Sequence, residues 1–207
     1  MMFLAVLLIS HHKCRYFLFI QKEVQNVKEL DENKHHYYYK LRNYGVQTDK
    51  LTSQKVLKYY GKNDLSLDVF YVVPFSDDTV KSNNKRIESW LGIKFSKQTK
   101  ENSLNKEEDE RELNKFYEDC SKNIQTYDFL KHKEFEKVLD GYELTYFKKA
   151  IEIAQSNADE NIMVLKPIEK TYSQLQKESI LWIVFSAIVT TLIFILMLSF
   201  PKVKISV

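Results

Sequence analysis

The longest run of apolar positions lies near the C-terminal end of the chain. Residues 180–200 read ILWIVFSAIVTTLIFILMLSF and include no charged side chain. A helix of this length, at about 1.5 Å per residue, spans the roughly 30 Å hydrocarbon core of a bilayer. A buried core helix of a soluble protein rarely runs this far without a charge, so the pattern predicts a transmembrane helix. Its predicted anchor positions are Ile180, Leu181, Trp182, Ile183, Val184, Phe185, Ile188, Val189, Leu192, Ile193, Phe194, Ile195, Leu196 and Phe200.

The N-terminal segment, residues 1–20, carries an interrupted apolar pattern with three open interpretations. It reads MMFLAVLLISHHKCRYFLFI, two apolar stretches separated by a polar one. A signal peptide would have a basic start and a small-residue cleavage site, which are missing here. A membrane helix, even a partial one, would place Lys13 and Arg15 near mid-span, at a cost of several kcal/mol. The third interpretation is an apolar element of a folded domain, or the truncated start of a longer reading frame.

Residues 21–95 indicate a small α/β portion. Residues 21–44 partly follow helical spacing, and residues 48–60 predict a second helix with Leu51, Val56, Leu57 and Tyr60 on its apolar side. Residues 65–73, LSLDVFYVV, alternate at first and then become β-branched and aromatic, which predicts a strand. A short apolar element with Trp90 and Leu91 follows at residues 86–95.

Residues 113–179 are predicted to form a helical, membrane-proximal portion, after a charged linker or helix start at residues 96–112. Apolar residues recur from Leu113 to Ala154 close to the spacing of a helix that packs along one stripe. Their phase shifts between Tyr127 and Leu139, which favours two helices or one bent helix over a continuous coiled coil. The stripe needs a partner surface, either the rest of the domain or a neighbouring subunit. Its predicted contact residues are Tyr142, Tyr146, Phe147, Ile151 and Ala154.

These elements together predict an α+β fold, predominantly helical, with a C-terminal transmembrane helix. Residues 161–165, NIMVL, predict one more short strand, and a polar spacer leads from there to the anchor. The anchor at residues 180–200 is followed by a short tail at residues 201–207.

Composition and charge narrow the possible partners. The chain has 207 residues with 31 Lys and Arg against 28 Asp and Glu, so its +3 charge gives no strong basic face for a nucleic acid. The only two cysteines, Cys14 and Cys120, lie too far apart for a disulfide framework or a CxxC zinc site. With four glycines in all, the sequence has no glycine-rich loop for phosphate.

No set of residues predicts catalysis, a cofactor or a metal ion. His132 lacks the second histidine of HExxH. The other polar candidates are neighbours in sequence without further ligands, a base or a nucleophile beside them. They are His11, His12 and Cys14; His35 and His36 before three tyrosines; and Asp77 and Asp78. We therefore expect a protein that is not an enzyme.

The last quarter of the chain resembles a known family. From Glu143 to Leu198 the order is a helix (LTYFKKAIEIAQ), a short apolar strand (NIMVL), Lys166-Pro167, a polar spacer (IEKTYSQLQKES) and the terminal membrane helix. This order is similar to the C-terminal end of Wzz-type polysaccharide chain-length determinants. The resemblance implies a bacterial inner-membrane protein with two membrane helices and an α/β base bearing a long helical protrusion. Such proteins oligomerise beside the polymerase in lipopolysaccharide and O-antigen biosynthesis.

Two functional hypotheses follow, both of them non-enzymatic and membrane-anchored. The first is a scaffold that acts by oligomerisation and regulates polysaccharide chain length. The alternative is a tail-anchored or single-pass eukaryotic membrane adaptor that recruits partners through its helical domain, with Lys202 and Lys204 at the membrane face. The expected partners are the lipid bilayer and either further copies of the chain or another membrane protein. The expected location is a membrane, crossed once or twice.

Overall fold

The computed structural model describes residues 20–60, 64–76, 88–100, 106–139, 141–155 and 162–199. They belong to two units, a domain over residues 21–169 and a unit that contains the C-terminal helix. Several sequence predictions lie outside the described residues: the N-terminal segment with His11, His12 and Cys14; Asp77 and Asp78; and Phe200 with the tail.

The domain contains eight strands and three α-helices among its described residues. In chain order they are β1 Gln21–Val24, α1 Lys28–Glu32, β2 Tyr38–Leu41, β3 Gly45–Val46, β4 Thr52–Tyr60, β5 Asp64–Ser76, β6 Ser89–Lys100, α2 Lys106–Gln125, β7 Glu134–Lys137, α3 Tyr142–Ala154 and β8 Met163–Pro167.

The strands form one mixed sheet with the order β1-β2-β7-β8-β6-β5-β3, and β4 also pairs with β5. The pairs β1–β2 and β6–β8 are parallel, and the remaining pairs are antiparallel. The longest ladder joins β5 and β6, in continuous register from Asp64 opposite Lys100 to Pro74 opposite Trp90. One face of this ladder packs against α2 and the opposite face packs against α3.

The prediction of a predominantly helical fold is wrong. Strand residues make up 34% and helical residues 43% of the described chain, and the helical share includes the 28-residue C-terminal helix. The mixed sheet is therefore the framework of the domain. The strand predicted over residues 65–73 is confirmed as the central part of β5, and the one predicted at 161–165 overlaps β8.

The prediction of a helix over residues 48–60 is wrong. The spacing of its apolar residues fits the period of a strand as well as that of a helix. Residues 52–60 form β4, which pairs with β5 along its whole length. Val56 is buried while the adjacent Leu57 is 40% exposed, the alternation expected of a strand with one covered face. Long-range pairing with β5 thus overrides a local pattern that also fits a helix.

Two other segments also differ from the predictions. Residues 21–44 hold β1, the five-residue α1 and β2 instead of one helix. Of the charged residues 96–112, the first five complete β6, and α2 begins at Lys106. Charged residues on the exposed side of a strand give no apolar alternation by which the strand could be recognised.

Each face of the sheet carries its own apolar cluster because side chains alternate along the strands. Val69 of β5 points to the face that α2 covers with Ile124, which we call the α2 face. Phe70 points to the opposite face, where α3 places Phe147, and which we call the α3 face. The rings of Phe70 and Phe147 meet edge to face, with centroids 5.1 Å apart.

The predicted contact residues all lie on α3 and contact the sheet of the same domain. Phe147 and Ile151 are fully buried beside Val72 and Val164. Tyr142, Tyr146 and Ala154 are partly buried and pack against the same cluster. Among the described residues, the partner surface of the stripe is thus the rest of the same domain.

Gly92 of β6 allows this close approach of α3. A Cβ atom at this position would lie 2.8 Å from Cγ1 of Val164 and 2.9 Å from Cε1 of Phe147. We expect Gly92→Ala to lower the free energy of unfolding by about 1–3 kcal/mol, because the packed core must shift to accept a methyl group. Urea unfolding of the full chain in detergent measures the change. Gln98→Ala, at an exposed position of the same strand, is the control, and an equal effect of both variants would contradict the close packing.

The C-terminal unit contains α4, Tyr172–Ser199. The helix starts with a capping box, in which Thr171 Oγ1 accepts from the amide of Gln174 at 3.3 Å and Gln174 Oε1 accepts from the amide of Thr171 at 3.0 Å. An 18-residue window of this helix has a mean hydropathy of 2.5, and only 6% of that window is buried. By length and composition α4 can cross a membrane, as predicted, and the polar spacer before the anchor forms its first turns.

Candidate functional site

A row of charged side chains crosses the α3 face at one end of the sheet. It consists of Asp68 on β5, Lys94 on β6, Lys166 on β8 and Glu136 on β7, and Glu143 joins it from the first turn of α3. The four strand residues share this face because each lies two or four residues along its strand from an apolar residue that packs under α3. Side chains at such spacings point to the same face of a sheet. The charged row therefore lies next to the apolar cluster on the α3 face.

These charges alternate in sign and are joined by ion pairs. Lys94 Nζ lies 3.4 Å from Asp68 Oδ2 and 3.3 Å from Glu143 Oε1. Lys166 Nζ lies 3.1 Å from both Glu143 Oε2 and Glu136 Oε1. Glu143 thus connects two lysines and ties the start of α3 to β6 and β8.

Asp68 is the most deeply buried member of the row, with 2% of its surface exposed. Its Oδ2 accepts a hydrogen bond of 2.9 Å from the hydroxyl of Tyr142, and its Oδ1 accepts one of 3.3 Å from the hydroxyl of Ser66. Burial alone would raise the pKa of Asp68. Hydrogen bonds from Ser96 and Tyr142 and the charge of Lys94 outweigh burial, so its pKa is lowered.

Glu143 and Lys166, at the centre of the row, also remain charged. Burial disfavours the Glu143 carboxylate, but the ammonium groups of Lys166 and Lys94 hold its pKa below the ordinary value. Burial likewise disfavours the Lys166 ammonium, but Glu136 and Glu143 hold its pKa above the ordinary value. At neutral pH both side chains are therefore charged.

A cleft of about 760 Å³ opens beside this row, where β8 ends and β6 continues. Its floor is the part of β6 that follows the last residue paired with β8. The opposite walls come from the segment between α2 and β7, the start of α3 and the end of β8. The lining residues are Ile93, Lys94, Phe95, Tyr127, Lys131, His132, Glu143, Lys166, Pro167 and Glu169.

The wall between α2 and β7 is fixed by two tyrosines. The buried hydroxyl of Tyr44 donates to the carbonyl oxygens of Phe129, at 2.7 Å, and of His132, at 2.6 Å. The hydroxyl of Tyr127 lies 2.8 Å from Nε2 of His132. Burial, with the neighbouring Lys131, lowers the pKa of His132, so this imidazole is neutral at pH 7. The wall is thus held by neutral hydrogen bonds.

The ion pairs make the stability of the domain sensitive to acid. Because the pKa values of Asp68 and Glu143 are lower in the folded chain, their contribution is complete above the ordinary carboxyl pKa values and is lost as the pH falls through the folded values. We expect the free energy of unfolding to decrease below about pH 4.5, the ordinary pKa of glutamate. We expect Glu143→Gln to cost about 1–3 kcal/mol at neutral pH, since it leaves two lysines without their shared carboxylate, and to weaken the acid dependence.

Urea unfolding at several pH values, followed by the fluorescence of the buried Trp90 in a Trp182→Phe background, measures both effects. Glu112→Gln is the matched control, because its ion pair with Lys97 is largely exposed and worth at most about 1 kcal/mol. Equal losses for the two variants, or an unchanged pH dependence in Glu143→Gln, would contradict the role given to Glu143.

Only some of the candidate residues from the sequence lie at this site. His132 lies in a wall of the cleft, but as a hydrogen-bond partner of Tyr127. His35 and His36 lie before β2, outside the lining, with ring centroids 4.2 Å apart. Among the described residues no three His, Cys, Asp or Glu side chains are grouped to hold a metal ion.

The central charges of the site were not recognised in the sequence. Lys166 stands out in the sequence only as the residue before Pro167, and no local pattern assigns a role to Lys94, Glu136 or Glu143. Asp68 occupies a polar position of the alternating segment that predicts β5, although it is buried. The one available signal was a lysine within the apolar stretch WLGIKF, because a charge between strand residues needs a partner across the sheet.

No protein-family model, no curated protein and no solved structure matches this chain.

Proposed function

We propose that the protein is a non-enzymatic, membrane-anchored module that acts by binding other proteins beside a bilayer. The observation that carries this proposal is α4, which contains an 18-residue window of mean hydropathy 2.5, only 6% of which is buried. Exposed apolar surface of this extent is costly in water and favourable in lipid. The helix follows the domain directly in the chain, so a helix in the bilayer would tether the domain to it.

The chemistry of the cleft and of the charged row beside it supports binding over catalysis. A general acid or base works best with a pKa near the working pH. Here the pKa values of Asp68 and Glu143 move down and that of Lys166 moves up, all of them away from neutrality. Fixed charges of this kind suit the recognition of a partner.

Regulation of polysaccharide chain length is the narrower form of the proposal. It rests on the resemblance of the last quarter, and α3, β8 and α4 follow one another in the order on which that resemblance is based. The family's long helical protrusion has no counterpart in the described part of the domain, where the longest helix, the 20-residue α2, packs on the sheet. This form predicts a large homo-oligomer in mild detergent and an altered surface polysaccharide length after gene deletion. A monomer with unchanged polysaccharide would contradict it.

The adaptor form of the proposal differs in the orientation of the domain. If the protein is a tail-anchored adaptor, protease added to intact membranes from the cytosolic side should digest residues 21–169. An epitope before β1 and one after α4 would report the two ends of the chain separately. Protection of the domain until detergent is added would contradict this form and leave membrane attachment intact.

A further inference from the structure

Three large apolar side chains are exposed among the described residues of the domain, and one of them differs from the other two. They are Leu57 on β4, Leu130 before β7 and Ile153 on α3. Leu130, which is 49% exposed, lies in a turn and is followed by two exposed lysines, Lys131 and Lys133. An exposed apolar residue beside lysines is the combination found in segments that bind at a lipid surface.

The turn that contains Leu130 is fixed by hydrogen bonds. Asp128, the only acidic residue of the turn, accepts from the amide of Leu130 through Oδ1 at 3.0 Å. The hydroxyl of Tyr44 donates to the carbonyl oxygen of Phe129 at 2.7 Å. The side chain of Phe129 is buried, so the place in the core next to Leu130 is already filled. Leu130 is therefore held on the outside of the domain.

The ammonium groups of the two lysines form no ion pair with any described carboxylate. Lys131 Nζ lies 5.1 Å from the ring centroid of Tyr127, and Lys133 Nζ lies 5.4 Å from that of Tyr44. A ring face attracts an ammonium group without neutralising its charge. The turn thus presents positive charge that the domain does not compensate, in contrast to the lysines of the charged row.

The turn lies at the end of the sheet from which the chain continues to α4. The amide of Ile168, directly after β8, donates to the carbonyl oxygen of Glu134 at 3.0 Å, so the start of β7 lies beside the end of β8. Tyr172, where α4 begins, follows four residues later and is at most about 14 Å from Ile168 along an extended chain. A bilayer that α4 enters is therefore within reach of this end of the domain.

We propose that the turn at residues 128–133 is a second membrane contact, which docks the domain on anionic phospholipid headgroups of the bilayer that holds α4. Leu130 enters the boundary between headgroups and acyl chains, and Lys131 and Lys133 lie against the lipid phosphates. The inference rests on the proposed anchored function, and it adds that one particular side of the domain lies against the bilayer.

The contact is small, and α4 makes it sufficient. It consists of one leucine and two lysines, and Asp128 and Glu169 carry the opposite charge nearby. A contact of this size does not hold a free protein on a membrane. With α4 in the bilayer, docking becomes intramolecular, and the effective concentration of the lipid surface is high. Each lysine near an anionic surface then strengthens docking by about a factor of five.

Fluorescence quenching in lipid nanodiscs tests this contact with the full chain. An NBD label is attached at Thr126→Cys, an exposed position four residues before Leu130, in a Cys14→Ser background. The remaining Cys120 is buried and will not be labelled. Discs with one protein copy contain phosphatidylcholine alone or with one third phosphatidylserine, and nitroxide-labelled headgroups act as the quencher. We expect strong quenching in the discs with phosphatidylserine, and little quenching of a control label at Ile153→Cys on α3.

Variants of the turn test which residues make the contact. We expect Lys131→Glu with Lys133→Glu to weaken docking by about twenty-fivefold or more, from the factor of five for each lysine, and to remove most of the quenching. Leu130→Ser should also reduce it. Lys148→Glu with Lys149→Glu makes the same change of net charge on α3 and should leave the quenching unchanged. Emission of the buried tryptophan of β6 reports whether each variant is folded.

An unquenched label at Thr126, or equal quenching at Thr126 and Ile153, would overturn the contact. Equal quenching without phosphatidylserine, or equal effects of the two double variants, would overturn the role of the lysines. An NBD emission change without nitroxide quenching would identify a protein contact instead of lipid, contrary to the proposal. In each case a protein that stays with the discs through gel filtration would still support anchoring by α4. Loss of the protein from the discs would instead overturn the anchored function itself.

Discussion

Replacing Phe147 with glutamate will unfold the domain, while Lys148→Glu will leave it folded. Phe147 is fully buried on α3, and its ring contacts Phe70 edge to face at 5.1 Å between centroids. Truncating such a phenylalanine costs about 3–5 kcal/mol, and a carboxylate in its place adds the cost of burying a charge. The sum is comparable with the whole stability of a typical domain, about 5–15 kcal/mol.

Fluorescence of Trp90 in the Trp182→Phe background, together with gel filtration in detergent, distinguishes the outcomes. Trp90 belongs to the same buried cluster as Phe147, so its emission should shift to the wavelength of exposed tryptophan in Phe147→Glu. The neighbouring Lys148 is only partly buried and lies outside the cluster, so Lys148→Glu places the same carboxylate on the same helix outside the core, although its charge change is −2 and that of Phe147→Glu is −1. Equal effects at the two positions would show that α3 does not pack through the predicted stripe.

The sequence predicts the fold only where the spacing of apolar residues fits a single type of secondary structure. β5 combines alternation with a β-branched and aromatic run, and nothing in its pattern fits a helix. The two faces of β4 are less distinct, because Val56 and Leu57 are adjacent apolar residues of which only Val56 is buried. Its pairing with β5 is a contact between segments, which a local window does not contain.

The candidate site was hidden for a related reason. Its charges come from β5, β6, β7, β8 and α3, and only the sheet order brings them together. Asp68 and Lys94 look like ordinary solvent-facing residues until β5 and β6 are aligned and α3 is placed over them. The end of β8 was visible in the sequence as Pro167, but its consequence for β6 depends on the parallel pairing of the two strands.

Two arginines in the middle of α4 will abolish membrane attachment, if this helix is the anchor. Ile188 and Leu192 lie one turn apart and are 54% and 55% exposed, so Ile188→Arg with Leu192→Arg puts both charges where lipid should surround the helix. Each arginine near the centre of a membrane helix costs about 2.5–3.5 kcal/mol on insertion scales. The protein should then move from the pellet to the supernatant after alkaline extraction.

Ser173→Arg with Gln176→Arg, in the polar first turns of α4, adds the same charge and should leave the protein in the pellet, because arginine is tolerated at a membrane surface. If the central pair of arginines leaves attachment unchanged, α4 is not what holds the protein, and the tether on which the proposed function depends must lie elsewhere in the chain.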